Sequence, residues 1–312
     1  MTTTPLVHQS SDQHEFYGAG LSKLPRLSKL RLSSLLLLAL LLSTSAATLR
    51  AQQLAVATTD ALPSAQGSEE EEFIKPARPG VANPADIHKT GVLQLEFGYD
   101  ANFRGSDFHT AQTLPLALRF AAASRLLLEA DLDTLNSETD EQGTRMTGIG
   151  DTRLGVQIVA LKDTEAHPAL AFAYYAKLPT ASHSKGLGTG RFDHKLLLLL
   201  SKKIGETDLD FNGAYLIVGR EDEPGWVTGG QAAFSVSHEF QNNFGFQAEL
   251  SGQSKDDVLP RGVYALGALT YKANRRLILD AGMRFGLNDD APRAGVFAGL
   301  TVGVADLYHR KH

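Results

Sequence analysis

A chain of 312 residues with 43% hydrophobic content is long enough for one large domain or two small ones. Its formal charge of -5, with no dense block of Lys and Arg beside aromatics, excludes a nucleic-acid-binding stripe. Cysteine is absent, which excludes disulfides and thiolate metal sites.

The first segment reads as a secretory signal. Lys23, Arg26, Lys29 and Arg31 precede the apolar run LSSLLLLALLL at residues 32–42, and Ser43, Ser45, Ala46, Ala47 and Ala51 follow it. A basic start, a short apolar core and small residues form the export pattern. The alternative, a membrane anchor, needs about 20 apolar residues, more than this run supplies. Cleavage is expected after Ala51, with Ala47 as the other candidate. Residues 1–51 are therefore assigned to the signal peptide. Residues 52–90 carry the acid run Glu69 to Glu72 and the proline-rich KPARPGVANP. They read as a disordered or extended periplasmic lead-in, the acid run being solvated.

From Gly91 the pattern changes and holds to the end. About twelve segments of alternating apolar and polar residues follow, at 91–103, 112–122, 125–134, 147–161, 168–179, 192–203, 207–219, 228–239, 243–253, 262–273, 275–287 and 294–305. Segments of roughly 9–13 residues suit a tilted strand crossing a bilayer. One parity is apolar and large, as in Leu93, Leu95, Phe97 and Tyr99. The other is too polar and small for a second core, as in Gln94, Glu96 and Gly98. Connections also alternate. NSETDEQGTRM, PTASHSKGLGTGR, REDEPGWVT and SGQSKDDVLPR are long, whereas AASR, SKKIGETD, EFQNNF and KANR are short. A transmembrane barrel has long loops outside the cell and short periplasmic turns, whereas a soluble sandwich has no reason to alternate so. Residues 91–312 are thus expected to be an all-β, antiparallel up-and-down transmembrane barrel of about twelve strands, monomeric or weakly associated. Loops 135–147, 179–191 and 220–228 are expected outside the cell.

Residues 276–287, RLILDAGMRFGL, show the two faces. Leu277, Leu279, Ala281, Met283 and Phe285 fall on the lipid side, and Asp280 and Arg284 on the wet side. Gly282, also on the wet side, is expected to accept a serine almost silently. HKLLLLLSKK is the awkward strand. Placing Asp193, Lys195 and Ser201 inside carries Leu197 and Leu199 inside with them. The interior set is Arg119, Glu129, Asp131, Asp151, Arg153, Lys177, Asp210, Glu249, Lys272, Asp280 and Arg284, with Lys272 the candidate partner of Asp280. A lumen holding both signs fits two readings, a wet selective path or a plug of paired charges, and twelve strands lie between a filled barrel and an open porin.

Other motifs carry less. GLGTG, residues 186–190, lacks the Gly-Lys-Ser/Thr ending of a phosphate loop and reads as a mobile loop. Ser182, His183, Asp193 and His194 share one outer region, the best candidate set for a rim enzyme. Two of them lie in a loop, and His183 and His194 have no strand-spaced company for a metal. No catalytic set, metal or cofactor is assigned.

Four stretches resemble a family of outer-membrane transporters labelled "MetA-pathway of phenol degradation": ARPGVANPADIHKTGVLQLEFGY (77–99), GIGDTRLGVQ (148–157), KLPTASHSKGLGTGRFDHKL (177–196) and, most specifically, LDAGMRFGLNDDAPRAGVFAGLT (279–301). The resemblance implies an outer-membrane barrel that moves small molecules, aromatic or otherwise apolar ones among them. Its partners would be outer-membrane lipid, the barrel-insertion machinery and a small-molecule solute. The competing readings are a non-conducting structural or interaction barrel and the rim enzyme.

Overall fold

The computed structural model describes residues 72–105, 108–182, 185, 187–220, 224–254 and 261–308, so the expected signal peptide (residues 1–51) and residues 52–71 lie outside the described residues. Thirteen strands follow in chain order: β1 (Val92–Phe103), β2 (Thr110–Ala123), β3 (Leu126–Thr139), β4 (Arg145–Gly148), β5 (Thr152–Leu161), β6 (Ala169–Leu178), β7 (Asp193–Ile204), β8 (Thr207–Gly219), β9 (Trp226–Glu239), β10 (Phe244–Gln253), β11 (Gly262–Asn274), β12 (Leu277–Gly286) and β13 (Ala294–Asp306). Each pairs antiparallel with its neighbour in sequence, except that β4 and β5 both pair with β3. They act as one strand interrupted at residues 149–151. β1 pairs with β13 along its whole length, so the sheet closes into a twelve-strand barrel. Closure is what lipid requires, since it offers no partner to the N–H and C=O groups of a free edge.

The faces are inverted relative to a soluble protein. Leu279, Met283 and Phe285 of β12 are exposed, while Asp280 and Arg284 between them are buried. The same holds around the wall. Phe97, Leu154, Phe172, Leu196, Phe211, Phe246 and Leu269 face outward, and Gln94, Gln157, Lys177, Asn212 and Glu249 face inward. Leu197 and Leu199 do turn inside, at 5% and 0% exposure.

One end of the barrel carries tight turns at 124–125, 205–206, 240–243 and 275–276, and the other carries the longer loops. The expected loop at 135–147 is a correction. β3 runs on to Thr139, Asn136 pairs with Gly148, and only residues 140–144 turn. Its polar sequence hid a strand because the Ser137 and Thr147 hydroxyls meet across the ladder at 3.1 Å and Arg145 Nε donates to Ser137 Oγ at 2.7 Å.

The larger correction concerns the lead-in. Residues 72–90 are ordered strap, held against the inner wall. Lys89 N donates to the carbonyl of Glu72 at 2.8 Å, which brings the two ends of the strap together at the turn end of the barrel. Between them the strap follows the wall. Lys75 N donates to Gln94 Oε1 (2.9 Å) on β1, Val81 N to Glu249 Oε2 (2.7 Å) on β10, Asn83 N to Asn212 Oδ1 (2.7 Å) on β8, and Ala85 N to Ser201 Oγ (2.7 Å) on β7. Gln157 of β5 donates back to the carbonyl of Ala85 at 2.9 Å. An extended segment without a sheet partner must satisfy its backbone with side chains, and the polar inner face supplies them. Ala85 is fully buried in a cluster with Val159, Ala171, Leu197 and Leu199, against which Ile87 packs. That cluster explains the leucine run of β7: Leu199 is sealed in the cluster with the strap, and Leu197 packs in the same cluster at the edge of the lumen.

Candidate functional site

The inner wall divides into two levels. The level nearer the turns holds the strap. Glu96 of β1 accepts there from Ala77 N (3.0 Å), Arg78 N (3.1 Å) and Gln94 Nε2 (2.7 Å), and it is ion-paired to Arg119 at 3.2 Å. Arg119, 1% exposed, also reaches Glu129 at 3.1 Å. A single dry guanidinium thus neutralises two carboxylates, a geometry its forked donors suit.

Arg78 supplies the most specific anchor. Its guanidinium binds Asp280 at 3.1 and 3.3 Å. It lies over Gly98 and Gly299, which pair directly across β1 and β13, and Asp280 pairs with Gly299 on the next strand. A Cβ at either glycine would come within 2.5 Å of the guanidinium. Two glycines side by side therefore leave a slot on the wall that a planar cation fills. The expected Lys272–Asp280 pair is thereby corrected. Lys272 stands at the turn-end rim, 40% exposed, 3.8 Å from Glu239. The sequence could not nominate Arg78, because it lies outside every strand.

The level nearer the loops carries a ladder of charges across consecutive strands. Arg153 meets Asp131 at 3.6 Å, and Lys177 meets Asp193 at 2.6 Å and Asp151 at 3.4 Å. Arg284 chelates Asp100 and touches Asn102 at 3.3 Å. Asp210 accepts from Ser201 and Ser235 near the strap. Thus the eleven expected interior residues stand on the inner parity, ten of them away from solvent and Lys272 at the rim. The sequence puts Glu96 on the polar parity without adding it to the interior set, and it leaves out Asp100, Asp133 and Arg78. Asp100 and Asp133 share the same alternation and were findable by it.

Between the strap and the loop-end mouth lies a cavity of about 920 Å³. Its floor includes Arg78 and Val81, and its rim includes Arg261 and Asp290, which are exposed and ion-paired at 3.0 Å. Leu197, Leu216, Leu266 and Tyr264 give it apolar stretches. Gly282 does not border open lumen as expected. A Cβ there would lie 2.3 Å from the carbonyl oxygen of Gly267 and 2.6 Å from Phe297, so the position needs glycine.

Among the described residues, Asp193 and His194 of the rim-enzyme set are not brought together. Asp193 points inward to Lys177, while His194 points outward, accepting or donating a 2.7 Å hydrogen bond with the Tyr174 hydroxyl and lying 5.3 Å from the Trp226 ring. His183 lies outside the described residues.

Over residues 77–303 the sequence matches the family described as "Putative MetA-pathway of phenol degradation". The chain belongs to this family. Among solved structures it is similar to an outer membrane channel from Pseudomonas putida F1, with a TM-score of 0.55 at 14% identity over 73% of this chain and 99% of that one. It is more distantly similar to the KdgM porin (TM-score 0.45, 8% identity, 68% and 99% covered) and to outer membrane phospholipase A from Escherichia coli (TM-score 0.40, 13% identity, 71% and 95% covered). No curated protein matches its sequence. With a closed barrel, an apolar outer belt and a polar lumen, this family member is an outer-membrane protein of channel-like architecture.

Proposed function

We propose that this barrel is a passive channel for small solutes, which enter the wide outer cavity and cross the membrane past the strap. The observation that carries the reading is the cavity itself. It is enclosed by the barrel wall, continuous from the exposed Arg261–Asp290 rim down to Arg78, and large enough for a small organic molecule. Leu197, Leu216, Leu266 and Tyr264 would receive an aromatic or apolar portion of such a solute.

The strap favours a second reading, a closed barrel whose filled lumen serves only rigidity. Its backbone donors are taken up by Gln94, Glu96, Glu249, Asn212 and Ser201. Planar-bilayer recording separates the two. The channel reading expects a measurable current from the mature chain and a larger one from Arg78→Ala, which vacates the slot over Gly98 and Gly299. Zero current from wild type, from Arg78→Ala and from a chain lacking residues 72–89 would leave the structural reading standing.

A further inference from the structure

The outer cavity is unequal in charge. Among the described residues, nine carboxylates line it against six Lys and Arg side chains. Five of the six are moreover committed to carboxylates. Arg78 is tied to Asp280, Arg153 to Asp131, Lys177 to Asp193 and Asp151, Arg284 to Asp100, and Arg261 to Asp290. Arg119 beneath them is shared by two lining carboxylates, Glu96 and Glu129. Surplus negative charge is left at Asp133, for which no ion pair forms among the described residues, and at Glu249. Glu249 is 4% exposed; its Oε2 accepts from Val81 N and Ala82 N while its Oε1 has no hydrogen-bond partner. Asp131 Oδ1 is likewise without one. A surplus of one sign inside a low-dielectric wall focuses the field along the lumen, and acidic linings are how pores admit cations. The apolar stretches of Leu197, Leu216, Leu266 and Tyr264 lie in the same cavity.

We infer that the outer cavity selects small organic cations over anions of equal size, an inference that rests on the channel reading above. The charge-bearing part of the solute lies toward Asp131, Asp133 and Glu249, and its hydrocarbon part against the leucines. Asp133 sets much of the preference, because the neighbouring Arg153 is held by Asp131 and no ion pair to Asp133 itself forms among the described residues.

The test uses two permanently charged aromatic ions of similar size, benzyltrimethylammonium and benzenesulfonate. In bi-ionic recordings of the mature chain, wild type should pass the cation with roughly threefold or greater preference. Asp133→Asn should reduce that preference about twofold, the order expected for one charge removed beside a water-filled path. Asp133→Asn keeps shape and breaks no ion pair, and unheated gel mobility checks that it folds. Current with equal or anion-favouring permeability would overturn cation selection and leave the channel reading intact. Should no current flow, the channel reading fails by itself, and calorimetric titration of the detergent-solubilised barrel with benzyltrimethylammonium decides the cavity's preference. Heat of binding that weakens in Asp133→Asn supports it, and no heat overturns it.

Discussion

His88 is 1% exposed, and its Nε2–H donates to the Val92 carbonyl at 3.0 Å, while Nδ1 has no partner. Burial, and next the Arg119 guanidinium, push this imidazole down to about 4. Its folded value therefore lies below its unfolded one, so the unfolded chain takes up the proton first. The stability His88 contributes is complete above about pH 6.5 and is lost as pH falls toward 4, by on the order of 3 kcal/mol at most. Urea titrations of the detergent-solubilised barrel at pH 7.5 and 4.5 should show a larger fall for wild type than for His88→Asn. Equal falls would assign the acid sensitivity elsewhere. Residue-scale legibility in the sequence was uneven for a physical reason. Asp280 and Arg284 were placed by alternation alone, because a strand's parity is local. Their partners, Arg78 and Asp100, were not, because pairing depends on which strands and which strap close over them. Gly282 failed similarly: its need for glycine comes from Gly267 and Phe297 on adjacent strands, which its own strand does not announce.

At the scale of elements, the twelve alternating segments correspond one by one to the barrel strands, with β4 and β5 together filling the fourth. Period-two patterning survives because each strand has lipid on one side and lumen on the other. The failures fall where that contrast stops. β3 beyond Asn136 is polar on both faces, and so reads as loop although its ladder continues to Thr139. The strap shows no period at all, since it is surrounded by protein and its backbone is satisfied by side chains. The lipid face gives a direct test on neighbouring strands. Leu279 of β12 is exposed, and Leu279→Arg should cost about 2–4 kcal/mol if it sits near mid-bilayer. A Cβ at Gly267 of β11 meets nothing within 4 Å, so Gly267→Ala should be close to neutral. Urea unfolding in lipid vesicles measures both, and equal stability of the two variants would mean that the faces are assigned the wrong way round.

For the whole molecule, the strand count fixes sidedness. With an even number of strands, the strap and the end of β13 share the turn end, the periplasmic end of such barrels, and loops such as 140–144 face outward. The chain has no cysteine of its own, so single cysteines report cleanly. A membrane-impermeant maleimide should label Glu141→Cys and not Asn242→Cys in intact cells. The reverse pattern would invert the barrel. The Arg78–Asp280 clasp has a consequence for assembly order. Its partners stand 202 positions apart, and the slot beneath Arg78 is made by the first barrel strand and the last one. During synthesis the strap emerges before any strand that holds it, and its guanidinium has no complete seat until β12 and β13 arrive and the seam between β1 and β13 zips shut. The strap, which precedes every strand, is therefore the last part of the barrel to be locked, and the locking residue reports that the ring has closed.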